Sequence, residues 1–517
     1  MRHITYRARA LLVIIGAIGV SSCQDLTVSN SNAPTVKEVL ANPANLETSI
    51  GSTFRVFWGV TQGARSNSTY PVVQLAALGE DITSADLEVH EVAQEPRVPY
   101  DNYGAGQWTN RKPWYDLLEV ITTSTEALRV LDGGLKIGAP IAGRPNGLRT
   151  DRARIFSKMM QGLGHVYHGL LFDKAFVSDE KVIADPFGTD FQPYPVVVAM
   201  GIAQLQEGIA LATAAPLDTL PVSWVNGQAL TTVELRRIMH SYIARAMVYS
   251  ARNPTERDAV DWRKVITHLD AGITVPFSQQ ASTSISGTSS AYLQRTQLQT
   301  NARADNRLLG PADTSGAYQA WLALPLSQRR EFVIATPDRR IHGATTASVG
   351  KYFGQPTSQT MTDTRGTYMH SRYRSIRYGT LFFNTGLIPT MTPLEMDFIR
   401  AEALFRTGDR VGAAAIINRT RVANGALKPV GINGPPAGAD CVPRKESGAC
   451  GDLFDALMYE KRIELHTLEA IIPFADWRGW GRLLKGSMMH FPVSGRELQT
   501  LGLPVYSFGG DLLGSAP

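Results

Sequence analysis

Carboxylates that share a helix face, cysteines that could pair and closely spaced tryptophans are the residues of this chain most able to do chemistry. Glu460 and Glu464 stand four apart, so on a helix they occupy one face, which Arg462 does not join. Two facing carboxylates could serve as general acid and base. A helix-borne pair among arginines such as Arg400 or Arg478 reads instead as ion pairing between packed helices. Glu80-Asp81 is a second acidic doublet, and capping or helix pairing is the expectation for it. A glycosidase needs two facing carboxylates, and among 46 acidic residues the sequence leaves such a pair open. The signatures of other chemistries are missing. His90-Glu91 has no second histidine four residues on, and no phosphate loop, EF-hand loop or G-x-S-x-G elbow occurs. Gly104-Ala105-Gly106 lacks the third glycine and the preceding strand of a dinucleotide site. No catalytic residue, cofactor or metal site is assigned. Trp477 and Trp480, three apart, are expected to pack as one apolar wall.

The three cysteines are Cys23, Cys441 and Cys450. Cys23 follows a basic head (Arg2, His3, Arg7, Arg9), an apolar run from Ala10 to Val20 and the small pair Ser21-Ser22. The run is short for a bilayer span, which takes about 20 apolar residues, and right for the core of a signal peptide. The small pair before a cysteine resembles the lipobox of bacterial lipoproteins. Residues 1–22 are therefore expected to be a signal peptide, with Cys23 lipidated at the head of a tether over residues 23–34. Each buried acyl methylene adds roughly 0.8 kcal/mol to such an anchor. Gln24 at the second mature position does not decide between inner and outer membrane. Cys441 and Cys450, nine apart in a Gly/Pro-rich stretch, read as a local disulfide in an oxidising compartment; a metal would need further ligands nearby.

About 490 residues remain after processing, enough for a large core. The formal charge of +5 falls to +2 when Arg2, Arg7 and Arg9 leave, and no Lys/Arg stripe carries interleaved aromatics, so nucleic acid is not an expected partner. No later segment reads as long and apolar enough to cross a membrane.

The elements that must position any site are mostly helical. Apolar residues recur at helical spacing over Pro113–Leu131, Asp151–Phe172 and Pro195–Ala214. A helix over Thr35–Phe57 is interrupted at Ala41-Asn42-Pro43. Two helix hairpins follow, Thr232–Ala251 with Glu256–Ala271, and Pro393–Arg406 with Val411–Val422. Small residues fall where their helices would cross: Ala244 and Ala246, then Ala401, Ala403 and Ala413 to Ala415. Such units look like tetratricopeptide repeats, though irregularly spaced. Between them, residues 274–390 are irregular, rich in Ser, Thr, Gly and Asn, with scattered aromatics. A loop-rich insertion of that length is usually functional or disordered, and the aromatic content argues against disorder.

The C-terminal region, about 391–517, carries a resemblance. Ile399-Arg400-Ala401-Glu402-Ala403, the Thr407-Gly408-Asp409 turn, Glu460-Lys461-Arg462-Ile463-Glu464-Leu465, Asp476-Trp477-Arg478-Gly479-Trp480-Gly481, then Phe491-Pro492-Val493 and Arg496-Glu497-Leu498, resemble in order the motifs of the SusD/RagB family. Met159–Phe172 is similar to an earlier family helix, more loosely. The chain departs from the pattern at Leu468-Glu469-Ala470, which lacks the family's glycine, and at Cys441–Cys450, an insertion.

The resemblance implies a mostly α fold of tetratricopeptide-like hairpins, as one domain over residues 35–517. It implies an outer-membrane lipoprotein facing the exterior, with a shallow site made of loops that takes an oligosaccharide or peptide. A SusC-like TonB-dependent transporter would be the partner, and the protein would not be an enzyme. A sugar needs exposed aromatic platforms flanked by planar polar groups. Tyr100, Asn102, Tyr103 and Trp108 fit from one loop region, Tyr318 and Trp321 from another, with Arg65 and Asn67 as weaker candidates. A lipid-anchored glycan hydrolase and a helical protein–protein adaptor are the rival readings.

Overall fold

The computed structural model describes residues 41–63, 71–84, 95–104, 107–140, 142–143, 146–181, 190–215, 219–282, 289–298, 302–355, 370–378 and 386–517. The signal peptide, the tether, Cys23, Arg65, Asn67 and the side chain of Trp108 lie outside the described residues.

The first helix begins where an interruption was expected. Asn42 caps α1 (Pro43–Gln62) by accepting from the amides of Ala44 and Asn45, and Pro43 takes the first turn, where its missing N–H costs nothing. A short α2 (Val72–Leu78) leads into β1 (Ile82–Ser84). The long helices α3 (Gln107–Asp132), α4 (Leu148–Leu171) and α5 (Tyr194–Ala214) follow, with the short antiparallel pair β2 (Lys174–Ala175) and β3 (Gln192–Pro193) between α4 and α5. The crossing of α4 and α5 depends on two glycines: a Cβ on Gly162 would stand 2.8 Å from the Gly201 carbonyl oxygen. By length and composition α5 could cross a membrane, contrary to the expectation that no such segment exists. Its Val197, Gly201, Gln204, Leu205, Gly208 and Ala212 are buried, while Val196, Ala199, Ala203 and Ala210 face outward.

The two expected hairpins are present. α6 (Thr232–Tyr249) opens with a capping box between Thr231 and Glu234. The second helix of this hairpin is divided into α7 (Pro254–Asp258) and α8 (Trp262–Asp270), because Asp261 caps a fresh start by accepting from the Lys264 amide. Residues 274–390 hold short pieces: β4 (Phe277–Ala281), α9 (Ala291–Leu298), β5 (Ala302–Ala304), α10 (Asn306–Leu309), α11 (Ala317–Ala323), β6 (Phe353–Gly354) and β7 (Arg374–Ser375). β8 (Gly386–Met391) returns antiparallel to β4, with Phe277 opposite Met391 and Ala281 opposite Gly386, and closes the neck of the insertion. β5 stitches it to β1, Ile82 opposite Ala304.

The C-terminal helices are α12 (Pro393–Arg406), α13 (Arg410–Ala423), α14 (Leu453–Leu465), α15 (Ile471–Gly479) and α16 (Gly495–Thr500). Ala401, Ala403 and Ala413 are fully buried where α12 meets α13, with Ala414 nearly so; Ala415 faces outward. The main apolar core extends from Leu46 to Ala516. A second cluster joins Leu308, Ile341, Phe353 and Tyr373 of the insertion to Tyr459 and Ile463 of α14.

Buried arginines tie these layers together, and the motif carboxylates hold them. Arg340 donates to Asp338, Glu460 and Glu464, all fully buried. Arg421 adds a second donor to Glu460 at 3.0 Å. Ion pairing of Glu460 and Glu464 is thus present, with partners other than Arg400 and Arg478. Arg400 pairs with Asp270 at 2.8 Å. Arg478 donates to the carbonyls of Leu170, Met489 and Tyr249. Arg245 joins Glu395, Glu469 and the Tyr167 hydroxyl. Such pairs offset their large desolvation cost only when every donor is met.

Candidate functional site

A cleft of about 580 Å³ opens between α14, α15 and the insertion, within the size range of ligand sites. α14 supplies its floor. Phe454, Met458 and Arg462 are four residues apart and so lie on one helix face, with Asp455 and Tyr459 beside them. Trp477 of α15 stands at the edge, half-buried, its ring 5.9 Å from that of Trp480 and inclined to it by 66°. The two tryptophans do form one wall, with Trp480 inside and Trp477 at the cleft.

The Trp477 ring is held from two sides. Its Nε1 donates to Glu80 Oε2 at 2.8 Å, and the Arg462 guanidinium lies 3.8 Å from its centroid. Arg462 also donates to the carbonyls of Gly79 and Glu80, and Arg307 donates to Glu80 Oε1 at 3.0 Å. Glu80 has a left-handed backbone, φ 55°, a strained state for a residue with a Cβ. Neither residue of the Glu80-Asp81 doublet caps a helix: Glu80 orients the tryptophan, and Asp81 holds His466 at 2.7 Å. Behind them Asp305, buried and next to Glu80, is pushed up to about 7.

The opposite wall is the insertion between the cysteines. Cys441 and Cys450 are bonded, with Cα atoms 5.8 Å apart, and Pro443 to Ser447 line the cleft. The Lys445 amide donates to the Ala449 carbonyl at 2.8 Å, and Arg444 donates to the carbonyls of Gly448 and Ala439. Lys445 reaches Asp452 and Asp455 at 3.1 and 3.2 Å. Those two acids also form the capping box that starts α14, so one carboxylate pair sets both the helix and the wall. Gln319 Nε2 donates to the Lys445 carbonyl at 3.2 Å, joining the loop to α11.

The cleft thus offers aromatic edges and faces from Trp477, Phe454 and Tyr318 among planar charged groups, most of which are already paired. That suits a ligand with apolar faces and many hydroxyls, such as a sugar.

No family model matches the sequence, and no curated protein matches it. Solved structures do resemble the fold. A SusD superfamily protein from Bacteroides vulgatus superposes with a TM-score of 0.55 at 10% identity, covering 89% of this chain and 97% of that one. A SusD homologue from Parabacteroides distasonis gives 0.55 at 13% identity, covering 84% of each chain. The chain has the SusD fold. A further structure with this fold, containing a xylogluco-oligosaccharide, gives 0.50 at 10% identity over 85% of this chain and 83% of that one.

Most of the residues expected to bind sugar from the loops of the SusD fold are interior. Tyr100 is 2% exposed and packs edge-on against Phe491. Asn102 is saturated: its Nδ2 donates to the carbonyls of Val493 and Tyr506, and its Oδ1 accepts from Asn110 Nδ2 and the Gly495 amide. Tyr318 stacks on Trp321 and on Phe332, and Trp321 packs tilted against Phe332; both are nearly fully buried, so neither is the exposed platform expected. Tyr318 still reaches the cleft from its inner side. Tyr103 is 67% exposed, on a turn held by Asp101 Oδ1. Trp108 lies in the first turn of α3. Tyr103 is not brought to the cleft. Sequence reasoning passed over Trp477 and Phe454 as platforms, because both sit in segments that read as packing. The signal available was the insertion at Cys441–Cys450, which must cover something next to α14.

Proposed function

We propose that this protein is a cell-surface lipoprotein, anchored through Cys23 in the outer membrane, that binds an oligosaccharide and delivers it to a SusC-like TonB-dependent transporter. The observation that carries the reading is the Trp477 cleft mounted on a SusD fold. The structure containing a xylogluco-oligosaccharide supports a glycan as the ligand class. The outward apolar residues of α5 supply a surface of the sort that a protein partner covers. No covalent step is assigned to the chain. Glu80 is committed to Arg307 and Trp477, and Asp452 and Asp455 to Lys445, which leaves these three carboxylates in holding roles and Glu446 as the remaining acid of the lining. Tyr103 and Trp108 stand as proposed accessory contacts for a long ligand.

Titration of the lipid-free protein with xylogluco-oligosaccharides and other soluble glycans, followed by tryptophan fluorescence, tests this reading. Saturable binding of at least one glycan, with no new reducing ends on prolonged incubation, is expected. Release of reducing ends would favour a hydrolase.

A further inference from the structure

A second pocket, of about 360 Å³, opens where α5, α6 and α8 meet. Arg236, Arg237 and His240 line it from one face of α6, being four, three and zero residues from the histidine. α5 contributes Ile209 and Thr213, and α8 contributes Asp270. The charges here are arranged differently from those in the aromatic cleft. Among the described residues Arg236 makes one long bond, to Thr213 Oγ1 at 3.3 Å, and its buried Nε has no partner. Among those residues Arg237 reaches only Thr274 Oγ1 at 3.1 Å and the Gly272 carbonyl at 3.4 Å. Among the described residues neither guanidinium has a carboxylate within ion-pair distance, and the one acid of the lining, Asp270, is taken by Arg400 at 2.8 Å. Two half-buried guanidiniums converging without counter-charge leave forked donors that match an oxyanion.

We infer that this pocket binds a phosphate monoester, held by Arg236 and Arg237 with His240 as a third, proton-dependent donor. His240 is bonded through Nδ1 to His268 Nδ1 at 2.9 Å, so its remaining ring nitrogen is the one free to serve the ligand. The groups around it are Arg236 and Arg237 on its own helix, His268, Lys264 and Asp270 on α8, and Arg400 on α12; the part of α5 lining the pocket is uncharged. Burial lowers His240, and the charges of His268 and Arg236 lower it further. A bound dianion opposes those two charges, so binding takes up a proton and tightens as pH falls.

The phosphate could belong to a soluble phosphorylated sugar or to a lipid headgroup, and two probes separate these. Glucose 6-phosphate is titrated into the full mature protein by calorimetry at pH 7.5 and 6.0, with glucose as the blank. Phosphatidylcholine vesicles with and without phosphatidic acid are tested by co-sedimentation. The expected result is binding of at least one phosphate probe, several-fold tighter at the lower pH. It should fall about tenfold or more in the Arg236→Gln/Arg237→Gln variant, while Arg236→Lys/Arg237→Lys retains part of it. Which probe binds identifies the source. Binding of neither probe overturns the inference, and so does binding that the Gln variant leaves intact while its melting temperature is unchanged. Glycan binding at Trp477 is independent of either outcome.

Discussion

Arg257 and Glu402 form a two-pronged ion pair with no exposure to solvent: Nε to Oε1 at 2.9 Å and Nη2 to Oε2 at 2.7 Å. Asp476 accepts a third bond from the same guanidinium at 2.8 Å, and the Trp480 Nε1 donates to Glu402 at 3.0 Å. Two of the motif segments, separated by more than seventy residues, therefore meet on one arginine of α7. Replacing one partner leaves an uncompensated buried charge. Glu402→Ala is expected to lower the unfolding free energy by about 3–5 kcal/mol, read by urea denaturation, and a change under about 1 kcal/mol would contradict this role.

The same carboxylate has a pH signature. Burial raises its pKa, but Arg257, Lys461 and Arg406 outweigh that and hold it at about 2. A depressed carboxylate contributes stability above the unfolded value, and that contribution is lost as pH falls from about 4.5 towards about 2. Wild-type protein should lose more stability than Glu402→Gln over that interval.

Two buried histidines act at milder acidity. Burial pushes His165 down to about 4 and His168 to about 3. Both stay neutral in the fold while the unfolded chain protonates near 6.5, so stability falls as pH drops below 6.5 and the loss ends near 3–4. Each should cost roughly 2 kcal/mol at pH 5. His168 packs between Trp114 and Phe172, with ring centroids 4.7 and 5.4 Å away, so His168→Phe should flatten the slope measured by chemical denaturation between pH 7 and 5.

Trp477→Ala should weaken glycan binding by about 2 kcal/mol, close to thirtyfold, while leaving the melting temperature within a few degrees. Unchanged affinity would move the ligand out of this cleft.

Reducing the Cys441–Cys450 bond should loosen the wall that carries Pro443 to Ser447. The loop is closed over nine residues, for which chain entropy gives about 2–3 kcal/mol. Cys441→Ser/Cys450→Ser is expected to bind glycan more weakly, with a faster off-rate, and calorimetry beside stopped-flow fluorescence separates this effect from global unfolding.

The helices were legible because their apolar residues recur at 3.6-residue spacing and their ends carry caps. Thr231, Thr392 and Asp409 each accept from the amide three residues on, and the spans containing Pro393–Arg406 follow from such signals alone. Partners were not legible. Nothing in the spacing of Glu460 and Glu464 points to Arg340, 120 residues earlier, because long-range pairing depends on how the insertion folds back through β4 and β8. The aromatic candidates failed for a related reason. Tyr100, Tyr318 and Trp321 sit in segments without periodicity, where sequence carries no sign of which side faces inward. Trp477 had a helical period and was read as packing, and most of its surface is.

The role proposed for this chain is to serve a transporter at the outer membrane. Affinity purification from gently solubilised native outer membranes, followed by mass spectrometry, tests it most directly. A TonB-dependent β-barrel in stoichiometric amount, with Cys23 lipidated, is the predicted result. Recovery of the protein alone, or from the inner membrane, would contradict it.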